Sequence, residues 1–361
     1  MMPQEYRLNF DMVSYSEIKL FSQCPRLYFE QYVLRTHAQA DKDYFTYGQV
    51  ADALLTQPWT LDEKFVRVSR KSDGGYLKEV EEMQKLEAKI AELEPQADAN
   101  KTKAKSLAKA RLDLEETRAR IVEMKSIGER IQVTGAIWDN AHETAEVIKR
   151  NPFYASQILP LIETNRGSFQ QMIYDMETHG KGTLDILYLS PGLQAVLDTF
   201  RAGTLTKQDA LEEAAKVEDK TGFIVDIKTT FAMSKMSPVM YAAQLGYYQS
   251  IIQEILGVKL PCFTVVGDKD STTKVAQDFA YSQDVLDREL GKLLAVKKIL
   301  LKSLELYKGS QQEQWFPSAK ILRGVKQDCF TCSRCKERPY SIDAPYQVTM
   351  KDVMEYDNKR R

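Results

Sequence analysis

Asp226 and Lys228 stand two residues apart in Phe223-Ile224-Val225-Asp226-Ile227-Lys228-Thr229-Thr230, a run that follows the turn signal Thr221-Gly222. Its aromatic and β-branched residues read as a strand, and positions two apart on a strand project from one face. Burying a carboxylate and an ammonium there is costly unless something pairs with them. Asp185, within the apolar-flanked Leu184-Asp185-Ile186-Leu187, reads as a charge on a neighbouring strand that can point at the same spot. Two carboxylates and an ammonium make a hard-oxygen site for a divalent cation, with a group beside it to orient or deprotonate water. That is the equipment for metal-assisted phosphodiester hydrolysis. Deprotonation by Lys228 would require desolvation to lower its pKa. An isolated Asp-x-Lys is common and mostly marks a solvated strand end, so the surroundings decide.

The elements that would position these residues follow the same order. Tyr241 to Leu256 reads as a helix with apolar residues at Leu245, Tyr248, Ile251, Ile252 and Ile255. On it Gln244 and Tyr248 are four apart and share a face. Near the start, Ser14 or Ser16 can cap a helix, with Glu17 at capping-box spacing from Ser14. Ile18, Phe21, Leu27, Tyr28 and Tyr32 supply its apolar stripe, interrupted near Pro25.

In this order Asp185, Asp226-Ile227-Lys228 and Gln244-Leu-Gly-Tyr-Tyr248 resemble the PD-(D/E)XK nuclease superfamily, and within it the RecB-like and RecE-like phage-type exonucleases. Ser14 to Phe21 with Cys24-Pro25-Arg26-Leu27-Tyr28-Phe29 resembles the opening helix of that group, and Phe45 to Leu55 its next helix. The resemblance implies an α/β fold, a mixed sheet flanked by helices, and a Mg2+- or Mn2+-dependent exodeoxyribonuclease acting on DNA ends in recombination, replication or repair. It also implies Asp185, Asp226 and the Ile227 carbonyl as metal ligands. Gln244 and Tyr248 would contact the strand. Two positions depart from the pattern. Asp52 stands where the family often has a histidine, and Gln170, or else Gln171, where it usually has a glutamate. Asp52 can ligate a metal or form a salt bridge; an amide ligates weakly and neutralises no charge. The rival reading is therefore a catalytically weakened DNA-binding or scaffold protein on the same frame. A strand-annealing protein is the partner the resemblance implies, and self-association is left open.

Composition sets broader bounds. Of 361 residues, 43% are hydrophobic and 28% charged, near soluble averages. A net charge of -1 offers no global attraction to nucleic acid, so DNA contact would need local basic surface. No run reaches the ~18 consecutive apolar residues of a membrane span. The opening residues lack an apolar signal core, which places the expected location in the cytoplasm, the host's if the chain is phage-encoded.

From Tyr76 to about Met124 the sequence turns to Glu, Lys, Ala, Leu and Arg, with apolar residues at helical spacing. This predicts an antiparallel helical hairpin with its reversal at Pro95 and Asp98-Ala-Asn100. Lys101, Lys103, Lys105, Lys109 and Arg111 cluster on the second arm. They form a solvated face, or a contact for DNA or a partner. A second insert lies between Pro191 and Lys220. The expected organisation is 1–75 as the first part of the nuclease core, 76–125 as the hairpin, 126–310 as the catalytic core and 311–361 as a cysteine-containing segment.

That segment holds Cys329, Cys332 and Cys335, spaced to suit metal or cluster thiolates. A fourth ligand is needed. The resemblance supplies Cys24, because some RecB-like relatives tie such a trio to an amino-terminal cysteine around a 4Fe-4S cluster. Zinc and free thiols are the other readings. Cys262 reads as a small core residue.

Overall fold

The computed structural model describes residues 12–33, 43–68, 75–97, 100–127, 130–230, 233, 237, 239–269 and 275–310. The first described elements are a two-residue strand, β1 (Val13–Ser14), and helix α1 (Tyr15–Gln23). Ser14 caps α1 as the spacing predicts: its hydroxyl accepts from Glu17 N, and the Glu17 carboxylate accepts from Ser14 N. A short α2 (Pro25–Tyr28) continues into a π turn (Phe29–Val33). Next come α3 (Asp43–Thr56), α4 (Leu61–Lys64), β2 (Phe65–Val68), α5 (Gly75–Ala97), α6 (Lys101–Ile127), β3 (Ile131–Thr134) and α7 (Gly135–Lys149). A π turn (Tyr154–Ile158) leads into α8 (Leu159–Glu163), followed by β4 (Ser168–Asp175), β5 (Gly180–Leu189), α9 (Pro191–Arg201) and α10 (Lys207–Lys216). The last described elements are β6 (Gly222–Thr230), α11 (Val239–Leu256), β7 (Cys262–Asp268), β8 (Ala276–Ala280) and α12 (Gln283–Ser310).

Two compact units emerge, one from 1–40 with 146–361 and one from 41–145, the boundary falling inside α7. The first is a mixed α/β unit. Its six-stranded sheet runs β1-β5-β6-β7-β8, with β4 also paired to β5. β5 is antiparallel to β4 and β6 and parallel to β1, while β6 is parallel to β7 and β7 antiparallel to β8. Because β4 lies along β5 from Gly180 to Leu187, β1 and β6 share the opposite edge. β1 holds it at Gly180 and Lys181, and β6 only from Ile186 onward. Among the described residues the stretch between has no strand partner on that edge, and Asp185 lies in it.

The helices are held to this sheet by apolar burial. Ile18 and Phe21 of α1, Leu193 and Leu197 of α9, Ala210 and Ala214 of α10, and Leu245, Ile252 and Ile255 of α11 join Leu187, Ile224 and Cys262 in one core. Cys262 is the small core residue its strand setting suggests. Glu17 reaches from α1 to Lys181 on β5 at 3.1 Å, a buried ion pair fixing the first helix to the strand that carries Asp185. Burial pushes the Glu17 carboxyl up despite that lysine.

Lys297 on α12 is a less comfortable burial. It is 5% exposed, with its ammonium 4.9 Å from the Tyr247 ring centroid. Burial pulls its pKa down to about 8, against the opposing charge of Asp175. The unfolded chain keeps the ordinary value of about 10.4, so between pH 8 and that value the unfolded state binds more protons and stability rises with pH. Lys297→Met is therefore expected to stabilise the protein by about 3 kcal/mol at pH 7, a gain that fades toward pH ~10. Urea unfolding at pH 7 and pH 10 checks both points.

In the second unit Val50, Ala51, Leu54 and Leu55 of α3 are buried, and β2 pairs in parallel with β3, Phe65 against Ile131 through Val68 against Thr134. The helices α5 and α6 pack as a hairpin through Leu86 and Leu93 on one arm and Leu107, Ala110, Leu114 and Ile121 on the other. Arg111, Arg118 and Arg120 pair across it with Glu94, Glu87 and Glu79. The reversal differs from expectation. Pro95 lies inside α5, which continues to Ala97. So near the helix end a proline forfeits one backbone hydrogen bond and leaves little helix beyond it to break. Asn100 then receives the Thr102 and Lys103 amides on its side chain and starts α6.

Among the described residues no helix is long and apolar enough to cross a membrane.

Candidate functional site

The gap on the edge of β5 is where the chemistry gathers. Strands β5 and β6 separate beyond the Ile186–Val225 pair, and the Asp185 carboxylate takes the place of the missing ladder partner: Ile227 N donates to its Oδ2 at 2.8 Å. Its other oxygen accepts from the Gln170 side-chain amide at 3.2 Å. Gln170 does this from a left-handed backbone conformation, φ 50°, inside β4. For a residue other than glycine that geometry stores about 1–3 kcal/mol and is held only by its surroundings. Gln171 instead donates to the Met172 carbonyl.

Asp226 is 2% exposed. Its Oδ1 accepts from Lys228 Nζ at 2.7 Å and from Gln244 Nε2 at 3.0 Å. Its Oδ2 is buried and has no hydrogen-bond partner among the described residues. A carboxylate oxygen in that state is expensive unless a cation supplies what is missing. Burial pushes the Asp226 carboxyl up to about 7, with Lys228 opposing the rise and Asp185 adding to it. Burial alone would also discharge Lys228. The Asp226 and Asp185 carboxylates outweigh it and hold the ammonium well above its ordinary value. In the metal-free site Lys228 is thus held as a cation, without the lowered pKa that a proton-abstracting lysine needs.

Helix α11 supplies the third side. Gln244 Nε2 lies 3.0 Å from the Tyr248 hydroxyl as well as from Asp226, so the i, i+4 pair acts as one polar arm. Tyr248 fits because β5 has Gly182 beneath it: a Cβ there would fall 2.4 Å from the tyrosine ring. Burial, with the charge of Asp226 adding to it, keeps the Tyr248 hydroxyl protonated.

Asp185, Asp226, Lys228, Gln244, Tyr248, Gln170 and the Ile227 backbone thus come together. Asp52 is a half-buried residue of α3 in the other unit, where its carbonyl accepts from Thr56 Oγ1. Cys24 follows the end of α1, its sulfur accepting from Leu27 N. Cys329, Cys332 and Cys335 lie outside the described residues.

Three further tyrosines join the neighbourhood. Burial raises the hydroxyl pKa of Tyr15, Tyr241 and Tyr281, and the charge of Asp226 raises each further. Tyr241 sits three residues before Gln244, on the helical spacing that could have flagged it. Tyr15 and Tyr281 come from separate elements and carry no such signal.

Among the described residues no three His, Cys, Asp or Glu side chains group as a metal cage. Two carboxylates with amide oxygens suit Mg2+ all the same, since that ion keeps several waters and binds through one or two carboxylates plus substrate phosphates. The partnerless Asp226 oxygen fits such an ion.

No protein-family model matches the chain, and no curated protein matches it. Among solved structures it is similar to a crystal structure named "Putative exonuclease" from Eubacterium rectale, at 14% identity over 98% of this chain and 95% of that one, with a TM-score of 0.46. The functional reading rests on the chain's own residues.

Proposed function

We propose that the protein is a PD-(D/E)XK-type, divalent-metal-dependent nuclease that hydrolyses phosphodiester bonds of DNA, working on DNA ends. The observation that carries this reading is the buried, partnerless Oδ2 of Asp226, set beside Asp185 and the fixed charge of Lys228. Asp185 and Asp226 would hold Mg2+ or Mn2+, with the Ile227 carbonyl and the Gln170 amide as further oxygens. Bound there, the metal would lower the pKa of a water and offset charge on the phosphate.

The chain's own residues do the rest. Lys228, whose ammonium form the two carboxylates favour, would stabilise negative charge gathering on the phosphate and orient the attacking water. Proton removal falls to another group or to solvent. Gln244 holds Asp226 in place through Oδ1, leaving Oδ2 free for ligation. Gln244 and Tyr248 together present polar groups to the strand. The net charge of -1 offers no global attraction to nucleic acid, so phosphate contacts beyond these groups call for local basic surface. A 4Fe-4S cluster on Cys24, Cys329, Cys332 and Cys335 would be a separate, structural staple, and an iron and sulfide assay on anaerobically purified protein tests it.

The test of function compares end-labelled linear duplex with closed circular DNA in Mg2+, Mn2+ or chelator, for wild type and Asp185→Ala. Loss of linear DNA alone, needing metal and absent in the variant, is expected. If wild type cleaves nothing in either metal while still binding DNA, the catalytically weakened binding protein becomes the better account, with Gln170 in place of a carboxylate as its physical reason.

A further inference from the structure

Helix α6 carries two heptad stripes on opposite faces. One, Leu107, Ala110, Leu114, Thr117 and Ile121, is buried in the hairpin. The other, at Lys105, Ala108, Leu112, Glu115, Ala119 and Val122, has the same alternating three-and-four spacing and is exposed throughout. Leu112 is 57% and Val122 68% exposed, unusual for large apolar residues on a helix otherwise so polar.

The charges on that second face are sorted along its length. Lys101, Lys105 and Lys109 occupy the first half, Glu115 and Glu116 the second. None of them forms an ion pair among the described residues, whereas Arg111, Arg118 and Arg120 of the same helix all pair across the hairpin. A face whose two halves are oppositely charged about an apolar centre complements a copy of itself laid antiparallel. Isologous two-fold contacts need that self-complementarity. One register seats Leu112 of each copy against Ala108 of the other and sets Lys105 against Glu115 twice. Small residues at 108 and 119 then let the helices approach closely, as in heptad packing.

We propose that the exposed face of α6 is a homodimer interface, in which two hairpins associate antiparallel into a four-helix assembly. The inference stands apart from the nuclease reading and gives the inserted hairpin a role of its own, that of joining two copies of the chain. The basic half of the face is the first half of a charge-matched contact. A nucleic-acid footprint would have no use for the acidic half beside it.

Sedimentation velocity of the full chain over a concentration series tests this, with circular dichroism and melting to verify folding. Each substituted residue is exposed, so the variants keep the hairpin. Wild type is expected to dimerise, and Leu112→Glu to raise the dissociation constant by about tenfold or more. Lys105→Glu and Glu115→Lys should each weaken the dimer, and the double charge swap should restore it. A chain that stays monomeric at every concentration overturns the proposal. So does a dimer indifferent to Leu112→Glu and to the swaps, which would be built on another surface. A monomer that loses duplex DNA binding when Lys101, Lys105 and Lys109 become alanine also overturns it, and assigns the face to nucleic acid.

Discussion

Asp226→Asn is expected to abolish metal-dependent cleavage, lowering the rate by at least about 10³-fold, the several kcal/mol that a bound cation supplies at a phosphoryl centre. Asparagine is the informative choice because it keeps an acceptor for Lys228 and Gln244 and changes only the charge and the partnerless oxygen. The fold should tolerate it. Burial already pushes the Asp226 carboxyl up to about 7, so in metal-free protein the folded state binds the extra proton between the ordinary carboxylate value of about 3.9 and that pH. There the unfolded state binds fewer protons, and stability falls as pH rises through the window. Above it, wild type bears a charge its site disfavours and asparagine does not. The melting temperature of the variant is therefore expected not to fall below that of wild type at pH 8 while activity disappears. Activity and melting measured on one preparation separate a lost ligand from a lost fold.

Lys228→Met is expected to act on both. Removing a fixed positive charge aimed at a developing negative one costs about 10²–10³-fold in rate. It also leaves the Asp226 carboxylate without its cation, and uncompensated buried charges are strongly destabilising. Lys228 is part-exposed, so about 2 kcal/mol is the expected loss rather than the full buried-pair penalty. Combining Lys228→Met with Asp226→Asn should recover most of that stability and none of the activity. Such non-additivity is expected of side chains in direct contact. Urea unfolding with single-turnover cleavage measures both parts. A double variant as unstable as the sum of its parents would mean that the 2.7 Å contact between the two is energetically idle.

The heart of this arrangement is legible in the sequence because it is local. Asp226 and Lys228 share a strand face by a period of two, and Gln244 and Tyr248 share a helix face by a spacing of four, so geometry within one element brings each pair together. The capping box at Ser14 and Glu17 is local in the same way. What the sequence leaves hidden depends on pairing between distant segments. That Asp185 accepts the Ile227 amide follows from β1 and β6 sharing one edge of β5 and leaving a gap, and β1, only two residues long, gives no periodic signal. The left-handed backbone of Gln170 is likewise imposed by tertiary context, since glutamine has no intrinsic preference for it. β8 is a five-residue edge strand with no buried residue, and β3 is four residues long, so neither carries a clear periodic signal. Lys228 shows the limit most plainly. Its position could be read, but whether burial or its two carboxylates set its charge depended on their placement around it.

Calorimetric titration of Mn2+ into the metal-free protein, wild type beside Asp226→Asn, tests the central claim without relying on any substrate. The account predicts saturable binding to wild type that is lost in the variant, with proton release on binding near pH 6 and less at pH 8, because a partly protonated Asp226 must give up its proton to ligate. Equal binding by the two proteins, or none by wild type, would contradict it and place the function of this site elsewhere than in metal-assisted hydrolysis.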